Sequence, residues 1–387
     1  MTNRFQIPIS AILALLLVVS ACDDPSPIGL DLVGAESGET NVVTLGTSYA
    51  AVDGTADITL GTSTEGAFRS LFGQVADPAA GMFTMSGFVD FIPSSNVTAA
   101  FRAGNVSFAD LALNIDYVYG DSTQSVTISI YDINADWPLV GARSDTTLAA
   151  SVLVTTASLE ATKGMVYIPL PSNWISRNNS ILKSTTFSDL FNGFAIRATQ
   201  GDAILGAHFS GSSMRASSVP GDTVNFSMSK VFSAYSGSSS SSNGNVHIVR
   251  DGASNSLSMR FPIKNDELGQ VAVHRVIFRL NSEDLSSMYP AGFVRPGVTR
   301  IGLRAVALDN KTRLNVSTAD VLEDGTLTFD ASALANIVQS ANLADSELDR
   351  FELYFPNESS SVDFLAFKKG LPATFGPRAV ITYTPIK

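Results

Sequence analysis

Apolar and polar residues alternate along most of the chain after residue 40. Val126, Ile128 and Ile130 recur at every second position, which is the period of a β-strand with one buried face. Helical periodicity is scarce, and it predicts short helices only at 172–178, 184–191 and 331–343. The alternating pattern predicts its clearest strands at 41–45, 56–60, 82–92, 110–119, 125–133, 165–170, 193–199 and 203–209.

The same order of predicted elements occurs twice. Each copy has two strands, a strand that leads into a helix, two more strands and a closing strand, so we interpret the copies as diverged versions of one unit. The first copy uses 109–117, 126–133, 165–170, 191–198, 203–209 and 223–229. The second copy uses 273–280, 300–307, 326–330, 349–355, 361–367 and 378–384.

A segment rich in Ser and Gly, 236–244, separates the two copies. This composition is typical of an interdomain linker, although a surface loop within one domain has the same composition. Many antiparallel strands without alternating helices favour an all-β fold, and we predict two tandem jelly-roll-like β-sandwiches. The predicted division is a signal at 1–21, a lipidated tether at 22–40, a first domain at 41–235, the linker at 236–244 and a second domain at 245–387.

The N-terminus reads as an export signal. Arg4 precedes an apolar run at 9–19, which is shorter than the ~20 residues that a membrane-spanning helix needs. Val19-Ser-Ala-Cys22 resembles the lipobox of bacterial lipoproteins, and Cys22 is the only cysteine of the chain. An exported lone thiol has no intramolecular disulfide partner, and acylation would remove it. We therefore predict that Cys22 carries fatty acyl chains such as palmitate; the alternative is an ordinary secretory signal followed by a chance cysteine.

Composition and charge limit the kinds of molecule that this protein is expected to bind. Hydrophobic residues make up 45% of the chain and charged residues 16%, which is the composition of a protein with a packed core. The net charge of −11 argues against nucleic acid and against anionic lipid surfaces as partners. Contact with a membrane is then expected through the lipid anchor alone.

Motifs of catalysis are absent from the sequence. There is no His-Glu-x-x-His, no Gly-x-Ser-x-Gly and no phosphate loop, and an acylated Cys22 is not a nucleophile. Asp132, Asn134 and Asp136 have the spacing of a calcium loop, but Trp137 stands where that loop needs glycine. We predict no catalytic residues, no cofactor and no metal site of this type, and a looser oxygen-ligand site stays open.

Trp137 and Trp174 are the only tryptophans. Sugar-binding surfaces use exposed aromatic faces against the C–H groups of the ring, so both are candidate ligand-binding residues. The alternative is that both belong to the core or to the edges of the sandwich.

Five short motifs follow one another along the chain. They are Cys22-Asp-Asp, Ile28-Gly-Leu-Asp-Leu32, Leu71-Phe-Gly73, Asp77-Pro-Ala-Ala-Gly81 and Tyr119-Gly-Asp121. In this order the chain resembles a large domain-of-unknown-function family of Gram-negative lipoproteins. Ala80 stands where members of that family often carry an aromatic residue. A looser resemblance, at 191–198 and 376–384, is to jelly-roll modules of extracellular carbohydrate-active proteins.

Taken together, these features predict a membrane-anchored, non-catalytic lipoprotein that binds or scaffolds a glycan or protein of the cell envelope. The alternatives are a carbohydrate-binding surface lipoprotein of a polysaccharide-capture system and a glycan-active hydrolase. Asp23 and Asp24 after Cys22 resemble an export signal of surface lipoproteins. The expected location is the outer membrane with the sandwiches facing outward, and the alternative is that they face the periplasm.

Overall fold

The computed structural model describes residues 40–53, 68–95, 97–137, 150–219, 222–237, 242–251, 255–263, 271–343, 348–356, 360–372 and 375–386. The predicted signal, Cys22, the tether up to residue 39 and the predicted strand at 56–60 lie outside these residues. The described part is mostly antiparallel β-structure, which confirms the predicted all-β sandwich fold.

The strands are β1 (Asn41–Gly46), β2 (Tyr49–Asp53), β3 (Arg69–Asp77), β4 (Gly81–Pro93), β5 (Asn105–Asp121), β6 (Ser125–Ile133), β7 (Ala150–Glu160), β8 (Gly164–Pro169), β9 (Phe194–Gln200), β10 (Ala203–His208), β11 (Ser213–Val219), β12 (Thr223–Gly237), β13 (Ser242–Asn243), β14 (Val246–Arg250), β15 (Asn255–Met259), β16 (Val271–Asn281), β17 (Phe293–Val294), β18 (Arg300–Ala307), β19 (Arg313–Asp320), β20 (Thr326–Asp330), β21 (Leu348–Tyr354), β22 (Phe364–Lys368) and β23 (Arg378–Pro385). The helices are α1 (Ala99–Ala103), α2 (Ser172–Leu182), α3 (Phe187–Leu190) and α4 (Ser332–Leu343), with a 3₁₀ turn at Ser286–Met288. No helix among the described residues has both the length and the apolar character needed to cross a membrane.

The first module, defined as the described residues within 68–237, is a sandwich of two layers. One layer has the order β8-β5-β11-β12 and the other has the order β7-β6-β9-β4. Strand β12 pairs with β11 through its first residues and with β4 through the rest, so it joins the layers. Alternate residues of each strand meet in one buried core, as the alternating pattern predicts; Ile128, Ile196, Leu111 and Met214 belong to it.

The second module, defined as the described residues within 40–53 and 242–386, repeats this architecture. One sheet has the order β1-β23-β16-β20, and the facing sheet has the order β19-β18-β21-β15-β2. Phe278, Phe351 and Leu353 pack between the sheets, and α4 adds Leu334 and Val338 to the same core.

The two modules share eight strand pairings. Strands β3, β4, β5, β6, β7, β8, β9, β10 and β11 correspond to β14, β15, β16, β18, β19, β20, β21, β22 and β23. The strand-then-helix unit recurs as β8–α2 and β20–α4. The repeated pairings support the internal repeat that the sequence predicts. They are β6–β7 with β18–β19, β6–β9 with β18–β21, β4–β9 with β15–β21, β5–β8 with β16–β20, β5–β11 with β16–β23, β3–β10 with β14–β22, β11–β12 with β23–β1 and β4–β12 with β15–β2.

The strand that completes each module is where the structure differs from the sequence prediction. We matched 223–229 with 378–384 as closing strands, but β23 corresponds to β11, and the counterpart of β12 is the pair β1–β2. Strands β1 and β2 therefore complete the second module, although residues 41–53 were predicted to open the first. An alternating pattern predicts a strand but not the strand with which it pairs. Because two repeats have equivalent sheet edges, the pattern does not show which module the strand completes.

The completing strands occupy equivalent positions in the two modules, but they come from unexpected places in the chain. Strands β1–β2 precede the first module and complete the second, whereas β12 precedes the second and completes the first. The arrangement is equivalent to a reciprocal exchange of one strand between neighbouring modules.

A third hydrophobic cluster joins the modules. Leu71, Phe83 and Tyr119 of the first module pack with Ile248 and Phe364 of the second. Strand β17 belongs by sequence to the second half but pairs with β5 of the first module. The predicted linker 236–244 overlaps the paired end of β12 and strand β13, and residues 238–241 lie outside the described part. The two modules are thus packed together across this contact, which we call the junction.

Candidate binding cleft at the junction

Asp77 and Tyr119, which belong to two of the sequence motifs, contact each other at the junction. Asp77 is buried, and one of its carboxylate oxygens accepts hydrogen bonds from the backbone N–H groups of Ala79 and Ala80, at 2.8 Å and 2.6 Å. The other oxygen accepts the hydroxyl of Tyr119. The motif around Asp77 is therefore a turn, which Gly81 closes with a φ of 79°.

The motif Tyr119-Gly-Asp121 requires glycine at position 120 for a steric reason. Its φ is +114°, and a Cβ atom there would lie 2.4 Å from the backbone oxygen of Asp202. A residue with a side chain would clash with this neighbouring backbone, so glycine lets β5 pass close to it. Together, the motifs place Tyr119 against Asp77 and against Phe293 of the second module, with a ring-centroid distance of 5.7 Å.

Tyr117 and Asp363 form the central polar contact between the modules. The Tyr117 hydroxyl donates to Asp363 Oδ1 at 2.8 Å, and the same hydroxyl accepts the backbone N–H of Val362 at 3.0 Å. Burial raises the pKa of Asp363 to about 6, against the opposing effect of the Tyr117 hydrogen bond. Burial and the nearby Asp363 carboxylate raise the pKa of Tyr117 well above its usual value.

Arg69 links the first module to the second. Its guanidinium donates twice to Asp116, at 2.7 Å for each nitrogen–oxygen pair, and once to the backbone oxygen of Ser360 at 3.1 Å. It also lies over the ring of Phe68, 4.5 Å from the centroid. Because a guanidinium has five N–H donors, two of them are not used by these three bonds.

Arg250 places a positive charge inside the junction. Its side chain is only 2% exposed, and it donates to the hydroxyl of Tyr235 at 2.9 Å and to the backbone oxygen of Ala80 at 3.3 Å. The guanidinium lies 4.3 Å from the centroid of Phe83. Hydrogen bonds and aromatic faces thus replace water around this cation.

An open cleft lies at one side of the junction, with a volume of about 220 Å³. Its lining combines residues of β3, of the start of β18 and of the segment that leads into β22. Asp251 Oδ2 accepts the backbone N–H and the hydroxyl of Ser361, at 3.0 Å and 2.7 Å. The residues around the cleft are Phe68, Arg69, Asp251, Gly297, Val298, Thr299, Arg300, Phe355, Pro356, Ser360, Ser361 and Asp363.

The two tryptophans predicted as ligand-binding residues do not line this cleft. Trp137 is 2% exposed and donates from its indole nitrogen to the backbone oxygen of Asn192 at 2.9 Å. Trp174 is 1% exposed and donates to Asp132 at 2.8 Å. Neither indole offers an exposed face to a sugar ring in this structure, and both residues lie in the interior of the first module.

The calcium-like spacing does not form a common site either. Asp132 accepts a hydrogen bond from the indole N–H of Trp174 and forms a salt bridge with Arg177 at 2.6 Å. Asp136 instead forms a salt bridge with Lys230 at 2.8 Å. Across the described ranges, no group of three or more acidic, histidine or cysteine side chains has the arrangement of a metal site.

Sequence reasoning missed the residues of the cleft. The motifs pointed to Asp77 and Tyr119, but Arg69, Asp251, Arg300 and Asp363 lie at strand ends with no special spacing. The sequence signal is weak: Asp363 interrupts the apolar segment that becomes β22, whereas Asp251 simply follows Arg250 at the end of β14.

A scan against protein-family models finds no match, and a search of curated proteins finds no significantly similar one.

Proposed function

We propose that this chain is a membrane-anchored, non-catalytic lipoprotein that binds or scaffolds a component of the cell envelope. The observation that carries the proposal is the cleft at the junction, where polar side chains of both modules surround an open space. Binding sites concentrate at such boundaries between packed units. The predicted lipid on Cys22 supplies the anchor.

The partners of the acidic groups support binding over catalysis. Asp251 accepts two hydrogen bonds from Ser361, and Asp363 accepts the Tyr117 hydroxyl. Asp77 is enclosed by its own turn and by Tyr119. These carboxylates hold backbone segments together, which is a structural use of an acidic side chain.

Glycan hydrolysis is the second candidate function. The observation that favours it is the pKa of Asp363, about 6, because a general acid needs a carboxyl group that keeps its proton near neutral pH. Release of reducing ends from polysaccharides, abolished in Asp363→Asn, would support a hydrolase and contradict the non-catalytic proposal.

Growth with an alkyne-labelled fatty acid tests the anchor. The natural chain should incorporate the label, and Cys22→Ser should lose it entirely. A double variant, Cys22→Ser with Ser26→Cys, is the matched control, because it restores a thiol four residues beyond the lipobox and should stay unlabelled. Equal labelling of the natural chain and Cys22→Ser would contradict lipidation at this position.

We further propose that the chain lies in the outer membrane with both modules outside the cell. The resemblance of Cys22-Asp-Asp to signals of surface lipoproteins supports this orientation. Proteinase treatment of intact cells should degrade the protein. Full protection, released only by breaking the outer membrane, would place the modules in the periplasm.

A further inference from the structure

The two arginines at the cleft already have acidic partners within the protein, and its two carboxylates already accept hydrogen bonds. Arg69 is paired with Asp116 through two bonds of 2.7 Å, and Arg300 is paired with Asp320 at 2.9 Å. Ser361 and Tyr117 donate to the carboxylates of Asp251 and Asp363. An anionic ligand would lose its hydration on entry without finding an unpaired cation. The pairing of both arginines therefore argues against an anionic ligand.

The same groups offer both donors and acceptors of hydrogen bonds. Two N–H groups of Arg69 are not used by its bonds to Asp116 and Ser360, and Arg300 is 60% exposed at the edge of the cleft. Carboxylate and hydroxyl oxygens lie beside them. A ligand that matches this lining carries several hydroxyl groups, each of which donates and accepts at once.

The walls and the volume of the cleft limit the shape and size of a ligand. Phe68 and Phe355 line the cleft from the first and the second module. Aromatic surfaces stack well on C–H groups of a ring. The volume of about 220 Å³ lies below the range of roughly 300–1,000 Å³ that drug-sized ligands occupy. The space thus corresponds to one small ring.

We propose that the junction cleft binds one uncharged sugar ring of a glycan. This inference rests on the proposed binding function and names the chemistry of the envelope component. The sugar hydroxyls would bond to Arg69, Arg300, Asp251 and Ser361, and its apolar face would lie against Phe68, which is partly exposed, whereas Phe355 is buried in the core of the second module.

Saturation-transfer NMR on the full chain in detergent tests the proposal. The probes are glucose, galactose and N-acetylglucosamine, and the competitors are inorganic phosphate, an anion, and glycine, a zwitterion. At least one neutral probe should receive saturation on its ring protons. Arg300→Ala should weaken its binding about tenfold, because one hydrogen bond to a charged donor is lost.

Arg275→Ala is the matched control. Arg275 is 59% exposed and pairs with Asp330, so it resembles Arg300 in exposure and in having one acidic partner, but it lies outside the cleft. The control should bind the sugar like the natural chain. Thr299→Trp should abolish binding, because a large ring at this exposed cleft residue fills the space.

Three results would overturn the proposal. They are absence of saturation transfer to all three sugars, equal sugar affinity in Thr299→Trp and the natural chain, and displacement of the bound sugar by glycine or phosphate. The fatty-acid labelling is independent of these measurements. A labelled chain without sugar binding overturns this inference alone, and an unlabelled chain that binds the sugar overturns only the anchor.

Discussion

At the scale of single residues, the Tyr117–Asp363 contact makes stability depend on pH. Burial raises the pKa of Asp363 to about 6, whereas an aspartate of the unfolded chain titrates near 3.9. The folded chain therefore keeps a proton that the unfolded chain releases between these pH values. For this group, the free energy of unfolding is highest below pH ~4 and falls as the pH rises through about 6.

Asp363→Asn should remove this dependence. Relative to the natural chain, the variant should gain on the order of 2 kcal/mol in free energy of unfolding between pH ~4 and ~7. Denaturant titrations followed by circular dichroism at several pH values measure the difference. Asp309→Asn is the control with the opposite sign, because backbone hydrogen bonds from Thr312 and Lys311 lower the pKa of Asp309. A difference between Asp363→Asn and the natural chain that does not change with pH would contradict the assignment.

Asp77 is the second residue whose role can be measured. Replacing it with Ala leaves the N–H groups of Ala79 and Ala80 and the Tyr119 hydroxyl without their acceptor. We expect Asp77→Ala to lower the free energy of unfolding by about 3 kcal/mol or more. Asp121→Ala, which removes an exposed carboxylate from a local turn with Thr123, should lower it much less. Equal effects of the two substitutions would contradict a central role for the buried turn.

The residue scale also shows the limit of sequence reasoning. Trp137 and Trp174 are candidate ligand-binding residues from the sequence because sugar-binding surfaces use exposed aromatic faces, yet both are buried. Whether a tryptophan faces solvent depends on contacts distant in sequence. Trp137 donates to the backbone of Asn192, and Trp174 donates to Asp132 and packs on Phe194. Asp77 and Tyr119 were found because their motifs are local, and the geometry of a turn is determined by residues that are neighbours in sequence.

At the scale of elements, strands β1 and β2 each belong to a sheet of the second module. Strand β1 pairs with β23 over six residues and buries Leu45 in the core, and β2 pairs with β15. No strand of the first module pairs with β1 or β2 within the part of the chain that the structure describes. Removing the two strands should therefore weaken the second module selectively.

Deletion of 41–53 tests this assignment. Hydrogen exchange should accelerate in β23 and β15, and exchange in β4 and β12 should stay as in the natural chain. Adding a synthetic peptide of residues 40–54 should restore the protection, and the same peptide with Leu45→Asp should not, because this side chain enters the core. Accelerated exchange confined to the first module would contradict the pairing.

Elements were the part of the fold that the sequence predicted best. Strands such as β6, β8 and β20, and helix α4, lie close to their predicted positions because their periodicity is regular. The pairing of β1 with β23 was missed, since the two strands lie at opposite ends of the described chain and nothing in residues 41–46 distinguishes one sheet edge from another.

At the scale of the whole molecule, three connections hold the modules together. The exchanged strands cross between them, β17 pairs with β5, and the hydrophobic cluster around Phe83 and Phe364 fills the space. Arg250 and the Tyr117–Asp363 contact add buried hydrogen bonds. We expect the modules to behave as one unit and not as two domains on a linker.

An engineered protease site between Ser239 and Ser240 tests this expectation. After cleavage, the fragments 1–239 and 240–387 should elute together in size-exclusion chromatography, because the first fragment still supplies β1 and β2 to the second module. They should separate only in denaturant, and the uncut insertion variant controls for the insertion itself. Separation without denaturant would support independent domains.

The exchanged strands also determine the order in which the chain can fold. Strand β1 is synthesised first among the described strands, but its partner β23 is the last. During this interval an apolar edge has no native partner, and pairing over such a sequence separation is slow. The β1–β2 segment of one chain can meet an unfinished second module of another chain first. Refolding at high protein concentration should therefore favour strand-exchanged dimers, and dilution should favour the monomer.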